Sequence, residues 1–281
     1  MGAAALCALL LLCGCSEKPQ GPAEITPSLT TEPVPQETLP AENAGESGIS
    51  PFIDENIIHG GGTVGKYVCS NSLEAVEAAA GSGCRFIELD FCLTSDGEPV
   101  CIHDWNIRYL PEWAKEDFPL TLSDFGSSRI YGELTPLTLH SLNEWLEDTD
   151  GVYIILDCKD HLMETLAIIV ERYPELTERL IPQIYAEDQL EPVRALGFPR
   201  VIYTVYQLPW EDKLDTEQIA AFAKNNALTG VTFPVELTEQ EGYVAALLES
   251  GIPLYVHTVN DPAVIQELLN MGITSVYTDC Y

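Results

Sequence analysis

The sequence predicts a (β/α)₈ TIM barrel, an α/β fold, over residues 53–281. Short apolar runs of strand length alternate with helical patterns from residue 53 to the C-terminus. The alternation is regular from end to end, and about 230 residues suffice for one such barrel. An open doubly wound sheet is the alternative, but the regularity favours the barrel.

The predicted elements follow from the spacing of apolar residues. The strand-like runs are residues 57–59, 86–91, 100–103, 153–157, 181–185, 201–206, 230–233, 254–258 and 275–278. The clearest helical patterns are residues 72–80, 142–148, 162–173, 216–224, 240–249 and 262–271. These are nine strand candidates for eight barrel strands, so one of them is expected to be a return strand.

A hairpin accounts for the additional strand. Asp96-Gly97 stands between two alternating runs and is a strong two-residue turn signal. With that turn, counting outwards places Asp90 opposite His103. The same register places Cys92 opposite Cys101, as either a cross-strand disulfide or two neighbouring buried thiols.

The N-terminal segment predicts export and a lipid anchor. Residues 1–15 form a short apolar run closed by small residues, as in a lipoprotein signal peptide. The run ends in a sequence resembling the bacterial lipobox, in which Cys15 would receive lipid. Residues 16–52 are rich in Pro, Glu and Thr and predict a disordered linker. We therefore expect an extracytoplasmic domain, residues 53–281, tethered to the bacterial cell membrane.

The charge of the chain excludes one class of partner. Its 13 basic and 44 acidic side chains give a formal net charge of −31, which repels nucleic acid. The same field is compatible with a divalent cation. The cysteines show no CxxC pair and no zinc-ligand spacing.

Carboxylates occur where a barrel carries its active site. Glu88 and Asp90 are two residues apart and share one face of a strand. If Asp90 lies near His103, two carboxylates and an imidazole converge, and hard oxygen ligands of this kind select Mg²⁺ or Ca²⁺. An edge strand whose acids face solvent is the alternative. Asp157 and Lys159 follow a later strand, where they could complete a cation and phosphate site or form a simple ion pair.

The stretch Ile58–Tyr67, "IHGGGTVGKY", differs from a nucleotide-binding P-loop motif at one residue. Gly60 and Gly65-Lys66 have the required spacing, but Tyr67 replaces the Ser or Thr that would hold Mg²⁺. The alternative is that His59 is the functional residue and that the spacing of Lys66 is a coincidence.

Together these motifs resemble the glycerophosphodiester phosphodiesterase family, which is similar in fold to phosphatidylinositol-specific phospholipase C. The matching stretches begin with His59 and Ser70–Ala75 and continue with Ile87–Asp90, Leu93–Gly97 and Val100–Asp104. In the C-terminal part they are Val256–Asp261 and Tyr277–Asp279. This combination identifies His59, rather than a P-loop, as the important residue of the opening stretch.

The resemblance implies a hydrolase of lipid metabolism and a set of site residues. It implies His59 and His103 as catalytic acid and base, and Glu88, Asp90 and Asp157 as ligands of one divalent cation, Mg²⁺ or Ca²⁺. Lys159, Arg108, Trp105 and His257 are candidates for substrate binding. The substrate would be a glycerophosphodiester or another phospholipid-derived molecule, attacked by a neighbouring glycerol hydroxyl through a cyclic phosphate.

The chain departs from the family pattern at four positions. Gly60 replaces the Arg that usually follows the first histidine, and Ser70 replaces a Glu. Asp157 replaces the usual third metal-binding Glu, and His257 replaces an aromatic residue. The Asp-x-Lys pattern also resembles sphingomyelinase D enzymes. A phospholipase C or sphingomyelinase D-like lyase and a non-catalytic surface binding protein are therefore the alternative functions.

Overall fold

A computed structural model describes residues 51–281 of the chain. Its strands, numbered along the chain, are β1 (Ile57–Ile58), β2 (Thr63–Val64), β3 (Tyr67–Val68), β4 (Phe86–Leu93), β5 (Pro99–Cys101), β6 (Leu137–Thr138), β7 (Tyr153–Asp157), β8 (Leu180–Ile184), β9 (Ile202–Thr204), β10 (Gly230–Pro234), β11 (Leu254–His257) and β12 (Ser275–Thr278). Eight of them, β1, β4 and β7 to β12, run parallel. Strand β1 pairs with both β4 and β12, which closes the barrel. The predicted TIM barrel is confirmed, and the open sheet is excluded.

Helices connect the barrel strands. They are α1 (Leu73–Gly81), α2 (Leu122–Ser127), α3 (Leu139–Glu147), α4 (Leu162–Arg172), α5 (Leu190–Ala195), α6 (Trp210–Lys213), α7 (Thr216–Asn225), α8 (Tyr243–Leu248) and α9 (Pro262–Asn270). Several begin at a side-chain cap; Ser72, for example, accepts a hydrogen bond from the backbone N–H of Ala75. The six predicted helices are present, although residues 240–249 form only the six-residue α8. The short helices α2, α5 and α6, of four to six residues, were not predicted.

Apolar side chains fill most of the barrel interior. This interior cluster consists of Ile53, Ile57, Phe86, Ile155, Ile181, Ile202, Tyr255 and Tyr277. Phe52 packs edge-on against Phe86. A second, larger cluster lies between the strands and the surrounding helices. The packed interior leaves the carboxyl ends of the strands as the place for polar groups.

The predicted hairpin forms, but its register is shifted by one residue. Strand β5 runs antiparallel to β4 and is the expected return strand outside the barrel, with Phe91 opposite Cys101 and Cys92 opposite Val100. The backbone N–H of Ile102 bonds the Asp90 carbonyl at 3.0 Å, so Ile102, not His103, lies opposite Asp90. The turn has three residues rather than two, because Gly97, at φ +80°, adds a bulge position.

The shifted register also separates the two cysteines that were expected to face each other. Cys92 and Cys101 are not directly opposed, and both are free thiols. The other cysteines of residues 51–281 are free as well.

The glycine-rich stretch after β1 is not a P-loop. His59–Gly61 form one turn of 3₁₀ helix, and β2 and β3 then make a small antiparallel hairpin. Lys66 is exposed on this hairpin and pairs with Glu133 at 2.8 Å. The interpretation that Lys66 matches by coincidence agrees with this geometry.

The predicted signal peptide, the Cys15 anchor and nearly all of the linker lie outside the described residues and stay predictions. Within residues 51–281, no helix has the length and apolar character needed to span a bilayer.

Candidate active site

Three carboxylates meet at the carboxyl ends of two neighbouring barrel strands. Glu88 and Asp90 alternate on β4 and point into the barrel mouth, and Asp157 is the last residue of β7, directly beside Asp90 in the parallel register. One oxygen from each of the three lies within 4.8 Å of the others. Glu88 and Asp90 are almost fully buried. The alternative in which these acids face solvent is therefore excluded.

Burial and mutual repulsion set the charge of this carboxylate trio. Burial, with the nearby Asp90 carboxylate, raises the pKa of Glu88 to about 8. Burial also raises the pKa of Asp157, although the Lys159 ammonium opposes this. Burial acts to raise the pKa of Asp90 too, but the charges of Lys159 and His103 and the hydrogen bonds from Lys159 and Asn71 together lower that pKa. Carboxylates held this close are stabilised by a cation placed between them.

Polar neighbours fix the orientation of the trio. The Lys159 ammonium bonds Asp90 at 2.8 Å and Asp157 at 2.9 Å. The Tyr185 hydroxyl donates to the other Asp157 oxygen. Asn71 donates from its amide to Asp90 at 3.0 Å and accepts from the Asp90 backbone N–H at 2.9 Å. The simple ion pair expected of Lys159 is thus present, but it lies inside the site and joins two of the three acids.

His59 lies at the end of β1, with its Nδ1 edge in contact with two residues. Its Nδ1 lies 2.8 Å from Asp279 Oδ1 and 3.1 Å from Cys69 Sγ. Burial acts to lower the pKa of His59, but the hydrogen bonds with Asp279 and Cys69 and the charge of Glu88 raise it to about 11. Because Nδ1 is engaged, Nε2 is the atom that this ring offers to a substrate.

His103 lies near Asp90 at the edge of the same cavity. Its Nδ1 bonds Asp104 at 2.8 Å, and its side chain is about two-fifths exposed, at 41%. Although it is one residue out of the expected register, His103 still lines the same cavity as His59 and the three carboxylates. The structure therefore brings together all five residues that the sequence implied as catalytic or metal-binding.

The substrate-binding candidates are placed differently from one another. His257 ends β11, lines the cavity and bonds Thr232 at 2.9 Å, and burial lowers its pKa to about 4. Trp105 lines a neighbouring cavity and donates its indole N–H to the Leu93 carbonyl. The Arg108 guanidinium stacks over Tyr109, and Arg108 lines neither cavity. Among the described residues that line the two cavities, Lys159 is the only lysine or arginine.

Two connected cavities make up the mouth of the barrel. The catalytic cavity, of about 210 Å³, is lined by His59, Glu88, Asp90, His103, Asp157, Lys159, Gln183, Tyr185, Thr204, Tyr206, His257, Thr258 and Tyr277. The outer cavity, of about 620 Å³, extends over β4 and the hairpin turn and shares Asp90, His103, Asp157 and Lys159 with the first. A ligand with its reacting group at the carboxylates would therefore have room to extend outwards.

Some residues of the site were not recognised from the sequence. Asp279 was noted only as part of a matching tail, and Cys69 and Tyr185 were given no role. Tyr185 and Asp279 each follow the carboxyl end of a barrel strand, β8 and β12. That position was a usable signal. The contact of Cys69 with His59 depends on the loop conformation and has no signature in the sequence.

Comparison with protein families gives one match. Residues 62–159 match the model of the glycerophosphoryl diester phosphodiesterase family. This range contains the three carboxylates, His103 and Lys159, and it begins just after His59. Comparison with curated proteins gives no match.

Solved structures match most of the barrel domain. A glycerophosphodiester phosphodiesterase from Parabacteroides distasonis superposes with a TM-score of 0.62 at 21% identity, covering 80% of this chain and 93% of that one. A putative glycerophosphodiester phosphodiesterase from Galdieria sulphuraria gives 0.63 at 17% identity, covering 81% and 94%. An Oleispira antarctica phosphodiesterase in complex with the product sn-glycerol-3-phosphate gives 0.60 at 20% identity, covering 80% and 92%. At these identities, the structural likeness establishes the fold.

The family match, together with this fold and site, defines the chain as a phosphoric diester hydrolase by class. The resemblance to the glycerophosphodiester phosphodiesterase family, inferred from the sequence, is confirmed.

Proposed function

We propose that this protein hydrolyses glycerophosphodiesters to glycerol phosphate and an alcohol. The observation that carries the proposal is the convergence of Glu88, Asp90, Asp157, His59 and His103 on one cavity of about 210 Å³. A phosphodiester needs charge neutralisation at phosphorus and two proton transfers. The carboxylates and imidazoles can provide both in this cavity.

Glu88, Asp90 and Asp157 would hold one divalent cation, Mg²⁺ or Ca²⁺. The residues fit such an ion, because three carboxylates offer hard oxygen ligands within 4.8 Å of one another. Burial and the neighbouring Asp90 carboxylate raise the pKa values of Glu88 and Asp157, so a bound cation would stabilise their ionised forms. When bound, the cation would polarise the phosphoryl group and neutralise charge that develops on its oxygens.

Lys159 would bind a non-bridging phosphate oxygen. Its ammonium already lies 2.8 Å from Asp90 and 2.9 Å from Asp157, and it lines both cavities. A phosphate placed at the carboxylates would therefore lie within reach of this ammonium. Lys159 would in this way supply the positive charge that the family usually places on the residue after the first histidine.

The two imidazoles would move the protons. One of them takes the proton of the neighbouring glycerol hydroxyl as its oxygen attacks phosphorus, and the other protonates the leaving alkoxide. A water molecule then opens the cyclic phosphate. Asp279 orients His59 and Asp104 orients His103, each through Nδ1, so that both rings present Nε2 to the substrate.

The outer cavity would hold the alcohol released from the phosphate. It adjoins His103 and is lined on one side by Phe91, Leu93 and Trp105. Its lining also includes the acidic side chains Asp104, Asp160 and Glu164. Such a lining suits a neutral or cationic alcohol better than an anionic one.

A lyase or phospholipase acting on intact phospholipid is the second candidate. It is favoured by Tyr206, Trp210 and Leu214, which are exposed apolar side chains in the segment between β9 and α7, and Tyr206 also lines the catalytic cavity. A substrate with acyl chains could use such a surface, whereas a water-soluble glycerophosphodiester would not need it.

The direct test is a product assay on the purified chain. We expect release of glycerol phosphate from glycerophosphocholine in the presence of Mg²⁺ or Ca²⁺, and loss of that release in EDTA. His59→Ala and His103→Ala should each remain folded and lose at least about 100-fold in kcat. His140→Ala, which changes an exposed histidine outside both cavities, is the control. Turnover of intact phospholipid alone would favour the second candidate, and full activity of either site variant would refute the assigned roles.

We also propose that Cys15 carries a lipid that tethers the domain to the outer side of the bacterial cell membrane. The lipobox-like sequence at residues 12–15 and the Pro-, Glu- and Thr-rich stretch after it support this. Metabolic labelling with radioactive palmitate in a bacterial host should label the wild-type precursor and not the Cys15→Ser variant. Equal labelling of both would refute the anchor.

A further inference from the structure

Cys69, His59 and Asp279 form a compact cluster beside the carboxylate trio. The Cys69 sulfur lies 3.1 Å from His59 Nδ1 and 3.0 Å from Asp279 Oδ1, and the nitrogen and oxygen are 2.8 Å apart. Each residue thus directs one ligand-type atom at the same point. The proposed hydrolysis needs Asp279 to orient His59 but has no use for the thiol.

Backbone and side-chain hydrogen bonds hold Cys69 and Asp279 of this cluster in place; we call Cys69, His59 and Asp279 the soft cluster, because it contains a sulfur and a nitrogen ligand. Cys69 adopts a positive φ of +50°, which is uncommon outside glycine, and its backbone N–H bonds the Gly62 carbonyl at 2.9 Å. Asp279 accepts from the Asn260 side-chain amide at 2.6 Å and donates its own backbone N–H back to Asn260 at 2.8 Å. The sulfur and the carboxylate are therefore positioned before any ligand arrives.

The cluster is partly exposed to solvent. The His59 side chain is 32% exposed and that of Asp279 is 16% exposed. Cys69 is partly buried rather than enclosed. Since two of the three side chains are in contact with solvent, a small cation could enter without unfolding the loop.

We propose that Cys69, His59 and Asp279 form a second metal site, one that takes zinc and, when filled, withdraws His59 from catalysis. Zinc binds Cys sulfur, His nitrogen and Asp oxygen at about 2.0–2.3 Å, and three protein ligands leave its fourth position open. Ligand atoms around such an ion lie roughly 3.5 Å apart by tetrahedral geometry, so the cluster needs to open by only about half an ångström.

The two sites differ in the ions that they select. The carboxylate trio offers oxygen alone and suits Mg²⁺ or Ca²⁺, whereas the soft cluster adds a thiolate and an imidazole. On zinc binding, the thiol proton of Cys69 and the Nδ1 proton of the His59 imidazolium both leave to solvent as the sulfur–zinc and nitrogen–zinc bonds form. The Nδ1 lone pair of His59 goes to the metal, and Asp279 exchanges its hydrogen-bond donors for the ion.

The effect on activity rests on the proposed function. With zinc on Nδ1, the His59 ring keeps its hydrogen on Nε2 and has no lone pair free to accept a proton. The ring therefore cannot act as the base, and it is a poor acid because loss of the Nε2 hydrogen would leave an imidazolate. Zinc would therefore inhibit even when the carboxylate trio is filled with Mg²⁺.

Cobalt provides a readout that does not depend on activity. The purified chain, treated with EDTA, desalted and supplied with excess Mg²⁺ to fill the carboxylate trio, is titrated with Co²⁺. We expect one equivalent to bind and to produce the near-ultraviolet charge-transfer absorption of a thiolate–cobalt bond. Cys69→Ala should abolish that absorption, and Cys84→Ala, which removes a thiol outside both cavities, should retain it.

Zinc affinity and inhibition are measured on the same variants. Competition with a chromophoric chelator should show zinc binding at least tenfold weaker in Cys69→Ala, with Cys69→Ser used if the alanine variant unfolds. In the presence of excess Mg²⁺, the alanine variant should need at least tenfold more zinc for half-inhibition. No cobalt absorption in the wild type, or equal zinc affinity in Cys69→Ala, would overturn the site. If the chain had no phosphodiesterase activity, the proposed function would fail, and the cobalt and chelator measurements would still decide the metal site.

Discussion

Gly60 connects the first histidine to the carboxylate trio through its backbone. It follows His59 directly, and its N–H donates to Glu88 at 2.8 Å. Its φ of +56° lies in the region that favours glycine, and a Cβ at this position would come within 2.5 Å of the Cys69 Cβ. The side chain that family members carry here is therefore excluded by the conformation of this loop, and Cys69 occupies the space.

Substitution of Gly60 should destabilise the protein. We expect Gly60→Ala to lower the free energy of unfolding by about 1–3 kcal/mol, because the positive φ and the contact with Cys69 both disfavour a Cβ. For a domain of this size, that corresponds to a fall in Tm of about 2–4 °C per kcal/mol. Thermal or urea unfolding, followed by circular dichroism, measures the change.

A double-mutant cycle separates the two causes. Cys69→Gly removes the nearest clashing atom, the Cβ, and leaves the Cys69 Cα 2.7 Å from the added carbon. Gly60→Ala should therefore cost about 1 kcal/mol less in the Cys69→Gly background than in the wild type. Strictly additive effects would mean that the Cys69 side chain contributes nothing to the exclusion of a side chain at residue 60.

The sequence predicts which residues share the site where the strand period fixes the direction of their side chains. Glu88 and Asp90 share a face because strand side chains alternate, and Asp157 belongs with them because carboxyl ends of parallel strands meet at one barrel mouth. The partner of His59 was not predictable in this way. Asp279 lies 220 positions away in the sequence, and only closure of the barrel between β1 and β12 brings the two together.

Among the elements, the β4–β5 hairpin shows how a small error in a turn changes a contact. Two turn residues would have placed Asp90 opposite His103, whereas Gly97 makes a third and places Ile102 there. Turn type depends on backbone dihedral angles that Asp-Gly alone does not fix. The prediction that His103 lies with the carboxylates does not depend on this register, because His103 needs only to reach the cavity and not to pair with Asp90.

Arg179 stabilises the segment that joins α3 to β7, at the end of the barrel opposite to the site. Its guanidinium donates to three backbone carbonyls: those of Val152 at 2.7 Å, Leu146 at 3.3 Å and Thr149 at 2.7 Å. We expect Arg179→Ala to lower the free energy of unfolding by about 2–3 kcal/mol, since partly buried carbonyls lose a charged donor. Urea unfolding measures this loss, and kcat should stay within about twofold of the wild-type value.

Arg172→Ala is the matched control for this element. Arg172 pairs with Glu98 on the hairpin at 2.8 Å, and its side chain is 44% exposed, so its loss should cost less than about 1 kcal/mol. Equal destabilisation by the two arginine variants, or a large loss of kcat in Arg179→Ala, would contradict this role for Arg179.

At the scale of the whole molecule, the barrel was predictable because its evidence is distributed along the chain. Nine strand-like runs with helices between them favour this fold even if one run is misassigned, as the return strand β5 shows. The short strands β2, β3 and β6 have only two residues each and leave no readable period. The family match covers residues 62–159. The assignment of the C-terminal half therefore depends on the fold and on the residues that this half brings to the barrel mouth.

The net charge of −31 should influence the choice of substrate. We expect the zwitterionic glycerophosphocholine to have a lower KM than the anionic glycerophosphoglycerol, because the acidic surface and the acidic lining of the outer cavity repel the additional charge. The difference should narrow as salt is raised from about 0.01 to 0.5 M. Steady-state kinetics on the two substrates provides the test, and a lower KM for the anionic substrate at low salt would contradict it.

The claim on which the proposed function depends most is that Glu88, Asp90 and Asp157 bind one divalent cation. Isothermal titration of the metal-free chain with Mn²⁺, in the wild type and in Glu88→Gln, tests it directly. We predict one site at the carboxylates in the wild type, with affinity at least tenfold weaker in Glu88→Gln and a parallel fall in kcat. Equal Mn²⁺ affinity in the two proteins, or full phosphodiesterase activity of Glu88→Gln in EDTA, would contradict it.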